Sequence, residues 1–209
     1  MSVEDALPEG VFINCPFDAP YAPTFEAIRF AIHYLGLRPR SALELQDSAE
    51  PRIERLFSII EECRYGIHDL SRTELDPLHG LPRFNMPFEL GVFLGARRFG
   101  AGTQRDKRAL ILDVERYRYQ RFVSDLAGMD IQAHGGDVQT AMRRVRDWLG
   151  NVSRRKLTGA DRLIEAHERF TERRSLLAER LEIDAGETPY ADFDRLVLAF
   201  LLDPPEPSA

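Results

Sequence analysis

Short apolar runs alternate with amphipathic segments along the first 150 residues, and this alternation constrains the fold more than any other feature. Val11–Cys15, Tyr65–Leu70 and Arg108–Asp113 have the length and apolar character of buried strands. Apolar residues recur at helical spacing in the intervening and following segments, which begin near Thr24, Arg52, Asn85 and Val138. This alternation predicts an α/β fold with a mainly parallel sheet and helices on both faces.

Two weaker strand candidates complete a predicted five-stranded sheet. Ser41–Leu45 lies between the first two helices, and Gly128–His134 contains a short last strand. Gly36 is predicted to end the first helix, because glycine readily adopts the left-handed conformation found there. If the strand order is 2-1-3-4-5, the loops after Cys15 and Leu70 meet at the carboxyl edge of the sheet, where ligands bind in such folds.

The composition changes after Gly150, which predicts an α/β domain at 1–150 and a helical appendage at 151–209. Residues 155–183 and the segment that starts at Pro189 have helical spacing and together predict a helical hairpin. The second segment has an apolar face made of Phe193, Leu196, Val197 and Phe200. Either the chain's own core or a second subunit of a homo-oligomer can cover that face.

Charge and hydropathy exclude several classes of protein. The net charge is −6 and neither predicted part is basic, so the chain has no general attraction for nucleic acid. No apolar run approaches the roughly 18 residues of a membrane span, and the acidic start lacks a signal peptide's apolar stretch. A cytoplasmic protein with no membrane partner is therefore expected. Cys15 and Cys63 lie in apolar stretches, outside any disulfide or metal pattern, and are predicted to be small buried side chains.

Three segments with polar side chains are predicted to lie near this carboxyl edge. The first is 12–18, Phe-Ile-Asn-Cys-Pro-Phe-Asp, followed by Tyr21. The second is 65–72, Tyr-Gly-Ile-His-Asp-Leu-Ser-Arg. The third is 83–91, Arg-Phe-Asn-Met-Pro-Phe-Glu-Leu-Gly, and its proline suits the first turn of a helix. Glu89 therefore lies near a helix N-terminus, where the dipole favours an ionised carboxylate by roughly 0.3–1 kcal/mol.

These segments resemble the nucleoside 2-deoxyribosyltransferases and the TIR domains over about residues 10–150. The shared features are a first strand ending in a Pro-Phe loop, a middle strand ending in Asp, and a following helix with Glu-Leu-Gly. The resemblance implies a flavodoxin-like, TIR-like fold and cleavage of an N-glycosidic bond. It assigns to Glu89 the role of the carboxylate that acts on the anomeric carbon of a ribose, as nucleophile or by stabilising positive charge.

Glu89 and Asp69 are the two catalytic candidates. Without the resemblance, the spacing favours an ordinary first-turn acid at Glu89, which is a common helix feature. By analogy with the transferases, Asp69 contacts a ribose hydroxyl or the leaving base; otherwise it caps the loop at Ser71 or Arg72. His68 alternates with Asp69 and is predicted to face the opposite side of the sheet as a core or supporting residue. The sequence contains no metal-ligand pattern.

The candidate substrate-binding residues are Asn14, Pro16, Phe17, Tyr21, Arg72, Arg83 and Asn85. The two aromatic rings either stack on a base or belong to the core. The two arginines either bind a phosphate or remain ordinary surface charges. The two asparagines either orient a ribose or carboxylate, or act as a turn former and a helix cap.

Three hypotheses follow from the resemblance. The leading one is a TIR-like hydrolase that cleaves NAD in bacterial defence or signalling, with NAD as substrate rather than cofactor. The second is an enzyme like the nucleoside 2-deoxyribosyltransferases. The acidic-Gly-Thr element of those enzymes is replaced here by Arg-Phe-Asn-Met at 83–86, which favours the first hypothesis. The third is a non-catalytic module that binds a nucleotide or assembles through TIR-like contacts.

Overall fold

A parallel sheet forms the centre of the molecule in a computed structural model, which describes residues 9–44, 49–75, 80–184 and 188–203. Its five strands are β1 (Gly10–Asn14), β2 (Arg38–Arg40), β3 (Tyr65–Asp69), β4 (Arg108–Asp113) and β5 (Gln132–Ala133). Their order is β2-β1-β3-β4-β5, and every neighbouring pair is parallel. The predicted flavodoxin-like sheet with order 2-1-3-4-5 is therefore confirmed.

Six α-helices accompany the sheet: α1 (Ala22–Tyr34), α2 (Arg52–Glu62), α3 (Asn85–Phe99), α4 (Val138–Ser153), α5 (Ala160–Arg180) and α6 (Tyr190–Leu202). Helices α1 and α4 share an apolar cluster with one face of the sheet, and α2 and α3 cover the opposite face. Helix α1 ends as predicted, because Gly36 has a φ of +73° and Leu37 N–H donates to the Ile32 carbonyl.

The predicted second strand was wrong in position. The structure places β2 at Arg38–Arg40, while 41–44 form a turn and Leu45 lies outside the described residues. An Arg-Pro-Arg sequence lacks the apolar run of a buried strand, but it suits an edge strand whose charges have partners. Arg40 donates to Glu44 at 2.5 Å and to Glu62 at 2.6 Å, so both guanidinium contacts hold the edge in place.

Helices α5 and α6 form the predicted C-terminal hairpin and pack on the outer side of α1 and α4. Phe193, Leu196, Val197 and Phe200 are each at most 3% exposed in the single chain. Of the two predicted ways to cover this apolar face, the structure shows packing on the chain's own core. Helix α4 continues to Ser153, past the change in composition at Gly150. None of the helices within the described ranges combines the length and apolar character needed to cross a bilayer.

A buried lysine joins α2 to the start of β4. Lys107 is 1% exposed, and its ammonium donates to the backbone carbonyls of Ile60 and Cys63 at the end of α2. Carbonyls in the last turn of a helix have no partner within the helix, so a cation there satisfies them and complements the dipole. Cys15 and Cys63 are buried free thiols, as predicted.

Candidate active site

Glu89 is a buried carboxylate on the inner side of α3. The residue is 6% exposed, and no described residue forms a hydrogen bond or an ion pair with its carboxylate. Burial raises the pKa of Glu89 to about 7, against a smaller opposing effect of the Arg52 guanidinium. A carboxyl group that titrates near neutral pH, with no protein donor occupying it, has the properties of a catalytic acid, base or nucleophile.

Asn14 fixes the first turn of α3 to the end of β1. Its amide nitrogen donates to the Met86 carbonyl at 2.8 Å and lies 3.1 Å from Nδ1 of His68. Met86 is three residues before Glu89, so these contacts set the position of the helical turn that carries the carboxylate. Asn14 is 1% exposed and acts as a structural anchor in this geometry rather than as an open ligand contact.

His68 lies on the same face of the sheet as Asn14, opposite to Asp69, as alternation predicts. Its ring is edge-on to Phe93 of α3, with centroids 4.9 Å apart. Burial lowers the pKa of His68 to about 3, so the imidazole is neutral at physiological pH. A Cβ on Gly66 would lie 2.7 Å from His68 Nε2 and 2.8 Å from the Phe93 ring, so the glycine makes room for this packing.

Asp69 is fully buried and has four polar contacts, of which three are hydrogen bonds. Oδ2 accepts from the Tyr21 hydroxyl at 2.5 Å and lies 3.1 Å from His134 Nε2. Oδ1 accepts from the Ser71 N–H at 2.8 Å and from the Ser71 hydroxyl. Burial acts to raise the pKa of Asp69, but the bonds from His134, Ser71 and Tyr21 outweigh it and the pKa is lowered. Four donors fill the acceptor positions of a carboxylate, so Asp69 organises the loops around it.

Ser71, His134 and Asp69 are the residue types of a nucleophilic triad, but their arrangement differs from one. Ser71 Oγ lies 2.8 Å from His134 Nε2, and Asp69 contacts that same nitrogen. The other ring nitrogen, Nδ1, accepts the N–H of Gly136 at 3.1 Å. His134 therefore carries its proton on Nε2 and has no free lone pair to activate the serine, which a triad requires.

Both candidate carboxylates act electrostatically on Cys15, the first residue beyond β1. Burial is the main reason that the pKa of the Cys15 thiol is raised, and Asp69 and Glu89 both add to the shift. The two carboxylates thus flank the end of β1 from opposite faces of the sheet. No hydrogen bond joins the two carboxylates among the described residues.

The two predicted phosphate-binding arginines meet at Asp18. Arg83 Nη1 donates to Asp18 Oδ2 at 2.7 Å, and Arg72 Nε lies 3.4 Å from the same oxygen. The side chains of Arg72 and Arg83 are 41% and 43% exposed, whereas that of Asp18 is 15% exposed. The Asp18 carboxylate thereby holds together two arginines, one from the loop that follows β3 and one from the loop that precedes α3, and both side chains remain partly exposed.

The remaining predicted residues have different environments. Tyr21 is buried and donates to Asp69, so its ring belongs to the core. Phe17 is 37% exposed and, with Pro16, lines a cavity of about 230 Å³ between α1 and the start of α6. Asn85 is exposed, and the prediction that it caps α3 was wrong. Phe84 occupies the N-cap position, and no side-chain hydrogen bond caps the helix.

Sequence reasoning missed the partners of Asp69 and the role of Asp18. His134 follows β5 and Ser71 follows β3, and strand ends in a parallel sheet meet at one edge. Their positions at strand ends were the available signal. Because β4 lies between β3 and β5, the contact between Ser71 and His134 could not be predicted from the sequence. Glu89 lines none of the cavities beside Arg116, Glu9, Leu94 and Pro16, whose walls are made of described residues.

Comparison with known proteins gave no match. No family model fits the chain, and no curated protein or solved structure is significantly similar to it.

Proposed function

We propose that this protein is a nucleotide N-glycosidase and that NAD is its most suitable substrate. The observation that carries the proposal is the burial of Glu89 without a donor among the described residues, at the edge of the sheet where flavodoxin-like folds bind ligands. The resemblance of the 83–91 segment to TIR domains and deoxyribosyltransferases supplies the reaction class. A role in bacterial defence or signalling rests on that resemblance alone.

The chemistry suits a carboxylate with a raised pKa. When a ribosyl C–N bond breaks, positive charge develops on C1′, and the ionised Glu89 stabilises that charge or traps the sugar covalently. Water then adds to C1′ and releases a proton, while the C–N electron pair leaves with the base. The products of NAD hydrolysis are ADP-ribose, nicotinamide and a proton.

The leaving group decides between NAD and ordinary nucleosides. Nicotinamide departs from a cationic pyridinium as a neutral molecule and needs no proton. An adenine or thymine leaving group needs a general acid. His68, the imidazole on the Glu89 face of the sheet, has a pKa of about 3, so at neutral pH it is not the imidazolium that could act as a general acid. This observation favours a pyridinium substrate over a deoxynucleoside.

The pyrophosphate of such a substrate would bind at Arg72 and Arg83, whose guanidinium groups are accessible and lie together. Arginine donates paired hydrogen bonds to phosphate oxygens, which suits this position. Asp69 acts as a positioning residue, because its bonds to Tyr21 and His134 hold the loops after β1, β3 and β5.

The test is to incubate the purified protein separately with NAD, NADP, ATP and deoxynucleosides and to follow the released base by chromatography. We expect nicotinamide release from a dinucleotide, and we expect Glu89→Gln to abolish it with the fold intact. Glu165→Gln is the matched control, because Glu165 is exposed on α5. Full turnover by Glu89→Gln contradicts the proposal. Base exchange between deoxynucleosides identifies a transferase, and binding without turnover identifies a non-catalytic module.

A further inference from the structure

The outer side of α3 presents an apolar stripe, which runs the whole length of the helix and consists of Phe84, Phe88, Gly91, Gly95 and Phe99. The spacings of four, three, four and four residues keep these positions on one face. Phe84 is 66% exposed, Phe88 is 53% exposed and Phe99 is 85% exposed. Large aromatic side chains are rarely left this open on a monomer unless the surface takes part in an interaction.

The two glycines in the stripe have no explanation within the chain. A Cβ on Gly91 or on Gly95 would meet nothing within 4 Å, apart from chain neighbours and the helix's own backbone. Both have ordinary helical φ values, so neither is needed for a turn. Glycine in a helix interior weakens the helix relative to alanine. Its other use is to let a second backbone approach closely.

We propose that the stripe is the interface of a homodimer, in which α3 of one chain packs against α3 of a second copy. The stripe supplies both knobs and holes: phenylalanine rings project, and the glycines leave a shallow groove between them. A two-fold interface requires such self-complementarity, because the same surface must serve on both sides. A different partner protein could bind to a stripe that had only projecting rings or only a groove.

Charge fixes the orientation of the two helices as antiparallel. Arg97 and Arg98 are exposed in the last turn of α3. In a parallel pair, these arginines would face their own copies and repel each other. In an antiparallel pair centred midway between Gly91 and Gly95, Phe88 lies opposite Arg98 and next to Phe99. The guanidinium already lies 6.0 Å from the Phe99 ring centroid of its own chain, so it can join an aromatic cluster at each end.

The exposed rings supply about two thirds of the area that such a contact needs. With about 200 Å² for a fully exposed phenylalanine side chain, the three rings offer roughly 400 Å² per chain. Two copies bury roughly 800 Å² through these rings alone. The groove and the flanking side chains extend the interface towards the roughly 1,200 Å² at the lower end of stable interfaces. The inference does not depend on the glycosidase proposal, because Glu89 lies on the inner side of α3.

The test is light scattering on the purified chain over a range of concentrations. We expect twice the 23.9 kDa of one chain for the wild type, and the mass of one chain for Phe88→Glu and for Gly91→Leu. Leu176→Glu is the control, because Leu176 is 54% exposed on α5, away from the stripe, and we expect it to remain dimeric.

Circular dichroism separates loss of the interface from loss of the fold. Because the space above Gly91 is open, Gly91→Leu should leave the helical signal unchanged while it blocks close approach of the second helix. A wild type that stays monomeric at its highest soluble concentration overturns the proposal. So does a dimer that survives both α3 substitutions, or a dimer that Leu176→Glu also dissociates.

Discussion

Replacing Glu89 with glutamine should stabilise the protein above neutral pH, because the fold holds this carboxyl in an environment that disfavours its charge. Burial raises the pKa of Glu89 from 4.5 to about 7. In the unfolded chain, the group loses its proton near its ordinary pKa, whereas the folded protein retains the proton until about pH 7. Between these values, the unfolded state binds fewer protons, so stability falls as pH rises.

The magnitude follows from the width of that interval. A shift of about 2.5 pKa units at 1.36 kcal/mol per unit corresponds to about 3 kcal/mol of lost stability. For a chain of this size, that difference is roughly 6–12 °C in melting temperature. Glutamine cannot ionise, so below about pH 4.5 the free energies of unfolding of Glu89→Gln and the wild type should differ by a small constant. Its advantage should then grow by about 3 kcal/mol up to neutral pH and stay constant above it.

The assay is urea unfolding of both proteins at a series of pH values, with the difference in free energy plotted against pH. Carboxylates elsewhere titrate equally in both proteins, so their effects cancel in the difference. Glu165→Gln should give a flat difference, because Glu165 is exposed on α5. A flat difference for Glu89→Gln as well would show that the buried carboxyl does not carry a raised pKa, and the reasoning about the site would fail.

Three further predictions concern turnover and packing. With NAD as substrate, kcat/KM should rise about tenfold per pH unit below about pH 7 and reach a plateau above it, because only ionised Glu89 acts. A bell-shaped profile would instead indicate that a general acid is required. Arg72→Gln and Arg83→Gln should each raise KM for NAD about tenfold with little change in kcat, the loss expected for one charge-assisted hydrogen bond. Steady-state kinetics with nicotinamide riboside, which has no pyrophosphate, should show no such effect. Gly66→Ala should destabilise the fold by roughly 1–3 kcal/mol in thermal unfolding, because its Cβ would meet His68 and Phe93. Gly91→Ala, where the space is open, should leave monomer stability unchanged or higher, and equal losses for the two alanines would refute the packing argument.

The sequence was informative where one physical factor dominated. Apolar runs of strand length and amphipathic helices gave the order of elements, and strand ends in a parallel sheet have to share an edge. That reasoning predicted that the segments that contain Asp69 and Glu89 lie near the carboxyl edge of the sheet. It failed at β2, because an edge strand with arginines held by Glu44 and Glu62 has no apolar signature.

The partners of individual polar groups were beyond sequence reasoning for a different reason. Asp69 was predicted either to bind substrate or to cap a loop, and both are compatible with a strand-end aspartate. The choice depends on Tyr21 and on His134, which reach it from distant parts of the chain. Likewise, the buried state of Glu89 follows from how closely α3 packs on the sheet, and Gly66 and Asn14 control that packing.

The burial of Lys107 has a practical consequence for labelling the protein. The chain contains two lysines, and the other one, Lys156, is exposed between α4 and α5. Reagents that acylate side-chain amines should therefore modify the native protein at Lys156, whereas Lys107 reacts only when the end of α2 separates from β4. The ratio of the two modifications, read by peptide mass spectrometry, would report local opening of this part of the fold. A fluorophore or surface tether could be attached at one defined lysine without first engineering the sequence.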